Sequence, residues 1–368
     1  AIGKGAYDAA DTENDNLAIG YDALGGGIAG GEYNVAIGNY SLDANTSGDS
    51  NVGIGYDALT ANTTGASNVA LGLKSLYSNT EGDKNVSIGT KSLYTNTTGN
   101  FNVSLGYQSL YYNQANSNTA LGYMSLKDNT TGTLNVAVGR DALLYNTEGS
   151  NNTAVGYHSL VDNTTGTRNI AIGNNAYDDA DTENDNLAIG YDALGGAIDG
   201  GEYNVAIGNY SLDANTSGDN NVAVGYNALT ANNSGAQNTA SGYEALKSNT
   251  SGAQNTATGY QALYSTTTAH GNIAYGYQAL YSNTSGAQNT ASGYEALYSN
   301  NTGTYNTAYG FRAMKENTTG IRNTASGSGA LQLNTTGDYN TAHGYGALLL
   351  NTTGSYNTAS GYDALTAN

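Results

Sequence analysis

The chain alternates polar and apolar residues in a short, recurring phrase. Asn is followed by a β-branched or apolar residue, a small residue, a second apolar or hydroxylic residue, and Gly, as in Asn34-Val35-Ala36-Ile37-Gly38. The phrase opens 21 times between Asn16 and Asn357, and Ala1-Ile2-Gly3 is the tail of a 22nd copy. The spacing is 17 residues, with departures such as 18 from Asn16 to Asn34 and 16 from Asn102 to Asn118. Alternation with period two over positions 2 to 5 predicts a short strand in every unit. A 17-residue unit is too small to bury a core of its own, whereas stacked units bury a continuous one, which is the logic of a solenoid.

Numbering the unit from its opening Asn shows which positions face inward. Position 3 is Ala in 18 of 21 copies, with Gly53, Ser87 and Ser104 as exceptions. Position 5 is always Gly, and position 8 is always Ala or Ser. Position 9 is Leu in 19 copies, replaced by Tyr177 and Met314. Invariably small residues imply close backbone approach, and the Leu column supplies apolar filling. Asn at position 1 is expected to form a ladder of stacked amides along the solenoid. The Asn-Thr-Thr-Gly stretch, as at Asn129–Gly132, reads as a turn in which Asn and Thr cap and Gly takes a positive φ. The 16-residue unit then places Asn116 in that Gly column, since Asn tolerates the same conformation. Positions 8 and 9 are adjacent yet both constrained, which a flat strand forbids. Either the chain turns a corner there, or Tyr-x-Ala-Leu is a single helical turn.

The fold class expected is therefore all-β: a parallel β-solenoid or β-roll of about 22 coils, with or without a short helical turn per coil. At an inter-strand spacing of roughly 4.8 Å, 22 coils would extend about 105 Å. Residues 1–62 match 171–232 at 53 of 62 positions, pointing to duplication of a ten-unit block. Residues 1–368 read as one repeat domain whose outer strand positions change character. Positions 2 and 4 are mostly apolar through residue 237 and mostly Thr or Ser over 238–368. An apolar stripe of that length is expected to be buried between subunits over residues 17–224.

Composition narrows the chemistry. Among 368 residues there are no Pro, no Cys and no Trp, where about 18 Pro would be ordinary. An architecture that uses nearly every backbone N–H for pairing leaves no place for Pro. Without Cys there are no disulfides, thiol nucleophiles or thiolate metal sites. A net charge of −19 opposes nucleic acid and anionic membranes as partners. No run of 18 apolar residues is present to span a membrane within this segment. The chain opens and closes inside a repeat and reads as a piece of a longer protein.

Asn-Val-Ala-Ile-Gly at 34–38 and 204–208 resembles the head repeat of trimeric autotransporter adhesins, the YadA-like head. Units of the form Asn-Thr-Ala-x-Gly-Tyr-x-Ala-Leu-x-x-Asn-Thr-Thr-Gly are also similar to repetitive regions of phage tail-fibre-like proteins. The resemblance covers every unit, although adhesin-head units are usually shorter than 17 residues. It implies a left-handed parallel β-roll, a homotrimer or filament, an extracellular location on a cell surface or virion fibre, and attachment to a surface receptor or glycan.

Candidate sites are few. Tyr at position 6 (Tyr21, Tyr56, Tyr107, Tyr157, Tyr243, Tyr260, Tyr277, Tyr294, Tyr345, Tyr362) reads as a stacked ladder ahead of a sugar platform. A second set at position 10 (Tyr77, Tyr94, Tyr111, Tyr264, Tyr281, Tyr298) is expected to be exposed, making it the better recognition candidate. Two acidic loops hold Asp11, Glu13 and Asp15, and Asp178, Asp181, Glu183 and Asp185. Carboxylate oxygens suit Ca²⁺, but no hand-type or glycine-rich calcium loop is present, so a solvated loop is the simpler reading. His158, His270 and His343 sit in separate units with no catalytic or metal partner arrangement. No nucleophile motif, phosphate loop or repeated acid pair is found, so no enzyme and no cofactor is expected. The functions in view are a structural or adhesive fibre, a phage fibre shaft, and an ice- or glycan-binding solenoid suggested by the Thr/Ser rows at 239–258.

Overall fold

The computed structural model describes residues 1–7, 15–27, 29–196 and 198–367. The chain divides into two compact units, residues 1–185 and 186–368. Each is a parallel β-solenoid. The first contains β1 (Leu17–Ile19) through β10 (Ile170–Ile172), and the second contains β11 (Leu187–Ile189) through β21 (Thr358–Ser360). Every strand is three residues long and occupies positions 2 to 4 of its unit. Strands pair in register, position on position: Leu17 with Val35, Ala18 with Ala36, Ile19 with Ile37. Ile2 makes one further bridge to Ile19. In-register stacking follows from the repeat, because each column then meets its own kind in the next coil. The spacing of 18 recurs from Asn186 to Asn204, the duplicate of the first long unit.

Position 3 is fully buried almost throughout, with positions 2 and 4 turned outward. The interior is filled by Ala at positions 3 and 8 and Leu at position 9, all at or near zero exposure. Small residues at 3 and 8 are coupled between coils. Where position 3 is Ser, the position 8 Ser of the preceding coil reaches it: Ser75 to Ser87 at 2.7 Å and Ser92 to Ser104 at 2.7 Å. Where it is Gly53, a Cβ would stand 2.6 Å from the Ser41 hydroxyl. Where position 3 is Ala, the Ser turns back to its own coil, as Ser159 does to the Gly156 carbonyl at 3.1 Å.

Two Asn columns hold the coil together. In the coil of residues 51–67, the Asn51 backbone N–H donates to Oδ1 of Asn34 at 2.9 Å, and Oδ1 of Asn51 accepts from the Asn68 N–H at 2.9 Å. Its amide Nδ2 crosses the coil to the Gly65 carbonyl at 2.8 Å. Asn62, at position 12, donates to the same carbonyl at 2.9 Å and to Oδ1 of Asn45 at 2.8 Å. Asn79 donates in turn to Oδ1 of Asn62 at 2.8 Å. The position 1 ladder is the expected one. The position 12 ladder is not a surface cap: its Asn residues lie fully buried beside the Leu column.

The ambiguous segment is a corner with no helical turn, and no helix occurs among the described residues. Positions 7, 9 and 17 take left-handed φ with ordinary side chains, as in Asp57 (φ 55), Leu59 (φ 55) and Ser67 (φ 59). Reversing the backbone's hand on both sides of Ala58 lets two consecutive side chains face inward. Their N–H groups bond to neighbouring coils, Leu59 to the Ser75 carbonyl at 3.0 Å and Asp57 to the Asn39 carbonyl at 3.1 Å. A helical turn would spend those donors within its own coil.

The Gly of the Asn-Thr-Thr-Gly turn also differs from the expectation. It lies outside the left-handed region and is Gly for want of space. A Cβ on Gly65 would stand 2.5 Å from both the Gly82 carbonyl and Oδ1 of Asn62. The positive φ belongs to position 5, where Gly55 has φ +139. Asn116 is not in the Gly column either. The Ala115 carbonyl accepts from Asn102 at 2.9 Å and Asn113 at 2.8 Å, so Ala115 holds that place. The short unit has lost a residue of its Thr-Thr loop, and Oδ1 of Asn116 accepts from the Asn100 N–H at 2.6 Å.

Where position 12 is not Asn, the neighbouring carbonyl oxygen loses its donor. Oδ1 of Asn249 is buried without a partner where Thr266 follows, and Oδ1 of Asn163 likewise where Ala180 follows. Thr266→Asn with Ala269→Gly, which clears the space the new amide oxygen needs, is expected to extend the ladder and raise stability by about 1 kcal/mol, read as a higher midpoint in chemical denaturation. Asn62→Ala removes one donor and one acceptor from a buried ladder. The expected loss is about 3 kcal/mol, seen as faster amide hydrogen exchange centred on residues 51–84 and fading with distance.

Candidate functional site

The corner that follows each strand projects position 6 outward, and successive coils set these side chains one above another. From Tyr226 the rings of Tyr243, Tyr260, Tyr277, Tyr294 and Phe311 form an unbroken face-to-face stack. Centroid separations run from 5.0 to 5.5 Å and interplanar angles from 6° to 14°. The ladder reading therefore holds for this run of the column, where ring faces are consumed by one another, whereas Tyr21 and Tyr56 meet Tyr40 edge-on and Tyr157 faces His158. Only ring edges meet solvent, so a sugar has no face to lie on within the stack.

The second Tyr set departs from the expectation. Tyr77, Tyr94 and Tyr111 stack at 5.0 Å, and Tyr264, Tyr281 and Tyr298 stack at 5.1 and 5.2 Å. All six are half-buried rather than exposed. Burial pushes the Tyr111 and Tyr281 phenols up from their ordinary value. Lys side chains cover the rims, with Lys74 5.1 Å from the Tyr77 centroid and Lys247 5.5 Å from that of Tyr264.

Two arginines extend the ring columns in a way the sequence reading did not register. Arg140 stands at position 6 between Tyr123 and Tyr157, its guanidinium carbon 5.6 Å from each ring centroid. At position 17, Arg322 lies between Tyr305 and Tyr339 at 5.5 Å from each. A flat cation fills the ring's place in each case. The signal available was positional: an Arg flanked one unit either way by aromatics in its own column.

The strand face is the other broad surface. In the first unit it carries exposed Leu71, Val103, Leu105, Leu121, Ile170 and Ile172, between 36% and 46% accessible. In the second unit apolar positions give way after Val224 to Thr239/Ser241 and Thr256/Thr258, paired in register. Ile273/Tyr275 then interrupts the hydroxyl rows, and Tyr309 and His343 do so again.

The second acidic loop is engaged by the fold. Asp11 and Glu13 lie outside the described residues. Asp15 is an exposed position 17 residue with φ 62. Glu183 is buried, and its carboxylate accepts from the N–H groups of Asp181 and Thr182 at 3.1 Å each. Asp181 accepts from the Thr164 hydroxyl. The Asp185 carboxylate takes both arms of the Arg168 guanidinium at 2.6 Å, which holds it below the usual carboxylate range. Asp178 is half-buried. Among the described residues, no group of three or more His, Cys, Asp or Glu converges as a metal site. His158 lies flat on Tyr157 at 3.9 Å with Nε2 3.5 Å from Asp141, while His270 and His343 are exposed in other coils.

Comparison with protein-family models and with curated proteins finds no match. Fold and surface alone therefore define the class. A repetitive parallel β-solenoid with a sealed interior fits a structural, fibre-like role.

Carboxylates crowd together where each long unit meets the coils that follow it. Burial pushes the Asp43 carboxyl up, and the charges of Asp22 and Asp57 add to the effect. Burial and Asp192 do the same to Asp213. A carboxyl raised in the folded state destabilises it when ionised, so stability is recovered as pH falls from neutral through the raised value. The opposite holds at Glu295, where burial is outweighed by hydrogen bonds from Lys315 and Arg312 that leave its carboxyl below the usual range. Its contribution is present at neutral pH and lost on acidification. Asp43→Asn with Asp213→Asn is expected to raise the melting temperature at pH 7. The difference from the parent should vanish below about pH 4, which a pH series of thermal melts would read.

Proposed function

We propose that this chain is a structural and adhesive fibre module of an extracellular attachment apparatus, self-associating through its strand face. One observation carries the reading: the first unit leaves an apolar row bare along ten coils. At about 4.8 Å per coil that row extends about 48 Å, longer than a monomeric soluble protein ordinarily leaves uncovered. The repeat's resemblance to adhesin heads makes three chains the expected assembly and a cell-surface or matrix receptor the expected target. Sealed polar groups inside and variable side chains outside suit a spacer that presents a surface, with no need of a cofactor or a catalytic cleft.

Sedimentation equilibrium should return three times the chain mass of 37.6 kDa. Leu71→Lys with Leu105→Lys should release monomer without changing the far-UV spectrum. A monodisperse monomer of the parent chain would sink the proposal, and a virion-bound location in labelled phage would shift it to a tail-fibre shaft. The hydroxyl rows at Thr239/Ser241 and Thr256/Thr258 support a second reading, an ordered-water or ice-binding face. That face is two coils deep before Ile273/Tyr275 breaks it, so no thermal hysteresis is expected from the purified chain.

A further inference from the structure

The position 6 stack of the second unit has one vacancy. After Phe311 the next coil carries Ser328 in the ring column, and the following coil resumes with Tyr345, stacked on Tyr362 at 5.1 Å. Two coil steps separate Phe311 from Tyr345, about 10 Å at the usual inter-strand spacing. That leaves the thickness of one ring between them. A cleft of about 140 Å³ opens there, walled by Phe311 and Tyr345 with Ser328, Gln332 and Leu349 around it. Position 7, which elsewhere carries a side chain alongside the stack, is Gly329 and Gly346 in these two coils. Exposure marks the bare face: Tyr345 is 55% accessible, against 42% for Tyr260 inside the stack.

At several other interruptions the chain supplies the filler itself. Tyr40 leans edge-on between Tyr21 and Tyr56, and Tyr210 does the same between Tyr191 and Tyr226. Arg140 and Arg322 slide a guanidinium between two rings. At Ser328 no side chain takes the place. Arg312 pairs with Glu295 of the preceding coil at 2.9 Å, its guanidinium carbon 4.9 Å from the Phe311 centroid and 6.0 Å from that of Tyr294, at the margin of the cleft.

We propose that the slot between Phe311 and Tyr345 binds one neutral phenolic ring. The repeat itself defines the guest, because a phenol occupies the equivalent volume two to five coils earlier, where Tyr294, Tyr277, Tyr260 and Tyr243 each lie between two aromatic walls. A guanidinium is disfavoured here because Arg312 already lines the cleft with positive charge. A pyranose is thicker than an aromatic ring and would have to part the two walls. The proposal stands independently of the assembly through the strand face.

Saturation-transfer NMR on the purified chain tests it, with p-cresol and N-acetyl-tyrosinamide as separate probes. Saturable p-cresol binding in the millimolar range is expected. Ser328→Tyr supplies the missing ring from within, in a column where Tyr is the usual residue, and should weaken p-cresol binding at least tenfold while the melting temperature holds or rises. Phe311→Ala should weaken it similarly by removing a wall. Equal binding of both probes would assign the slot to a tyrosine side chain of a partner, and binding of p-cresol alone to a free phenol. The proposal is overturned if p-cresol does not saturate, if Ser328→Tyr binds it as well as the parent, or if ethylguanidinium or methyl glucoside binds more tightly.

Discussion

The structure depends on a carboxamide's ability to donate and accept at once. A coil 17 residues round has backbone carbonyls facing its interior that no neighbouring strand can reach. The Gly65 carbonyl is such a group, and it receives two Nδ2 donors, from Asn51 and Asn62. Each of those amides offers its own oxygen to the next coil, so satisfying one coil creates the acceptor that the next coil uses. Asp cannot donate, and a Gln amide sits one methylene further from the backbone. An unmade hydrogen bond in this interior costs about 1–3 kcal/mol, repeated at every coil, which is why Asn holds position 1 throughout.

The same network explains why the coil backbone tolerates strain. Leu, Asp, Gln and Tyr sit at left-handed φ at positions 7, 9 and 17, a conformation that disfavours residues with a Cβ by about 1 kcal/mol each. No isolated coil would hold three such residues. They persist because each N–H meets a carbonyl of an adjacent coil, so neighbouring coils impose the geometry that the local sequence opposes. Substitutions are accordingly coupled. A side chain at position 15 competes for space with Oδ1 of its own position 12 Asn, and Ala269 and Glu183 appear in that column where position 12 is Thr266 and Ala180. In the first coil, Tyr7 takes the Leu position. Its hydroxyl accepts from Nδ2 of Asn16 at 3.1 Å, so the larger side chain brings its own acceptor to the position 1 ladder.

What the sequence makes legible is whatever one residue type does alone. Ala at position 3 and Leu at position 9 announce the interior because only a small or an aliphatic side chain fits, and Asn at position 1 announces a ladder because nothing else recurs there. The left-handed positions were illegible for two reasons: position 7 scatters over Asp57, Lys74, Gln108 and His158, and position 9 is Leu, which gives no sign of a positive φ. The inner Asn at position 12 was misread because Asn-Thr-Thr-Gly has the composition of an ordinary surface turn, and only the stacking of coils turns its first residue inward. Asn116 was misplaced for a related reason: composition aligned it with Gly, whereas the carbonyl that receives two amides belongs to Ala115.

Sealing the interior this completely moves all specificity to the outer columns. Inside, a substitution disturbs a ladder that its neighbours share, so drift is suppressed. Outside, positions 2, 4, 6, 7, 10 and 17 face solvent or one another, and each column is a one-dimensional array whose members interact with the coil before and the coil after. Aromatic columns close on themselves, since a ring at coil spacing finds a ring on either side. A column of this kind gains a binding feature through an omission: replacing one ring by a small residue opens a slot whose shape is already set by the rings that remain. Tandem repetition supplies such columns in quantity, and a few substitutions, here Ser328 with Gly329 and Gly346, are enough to give one coil a chemistry that its neighbours in the stack lack.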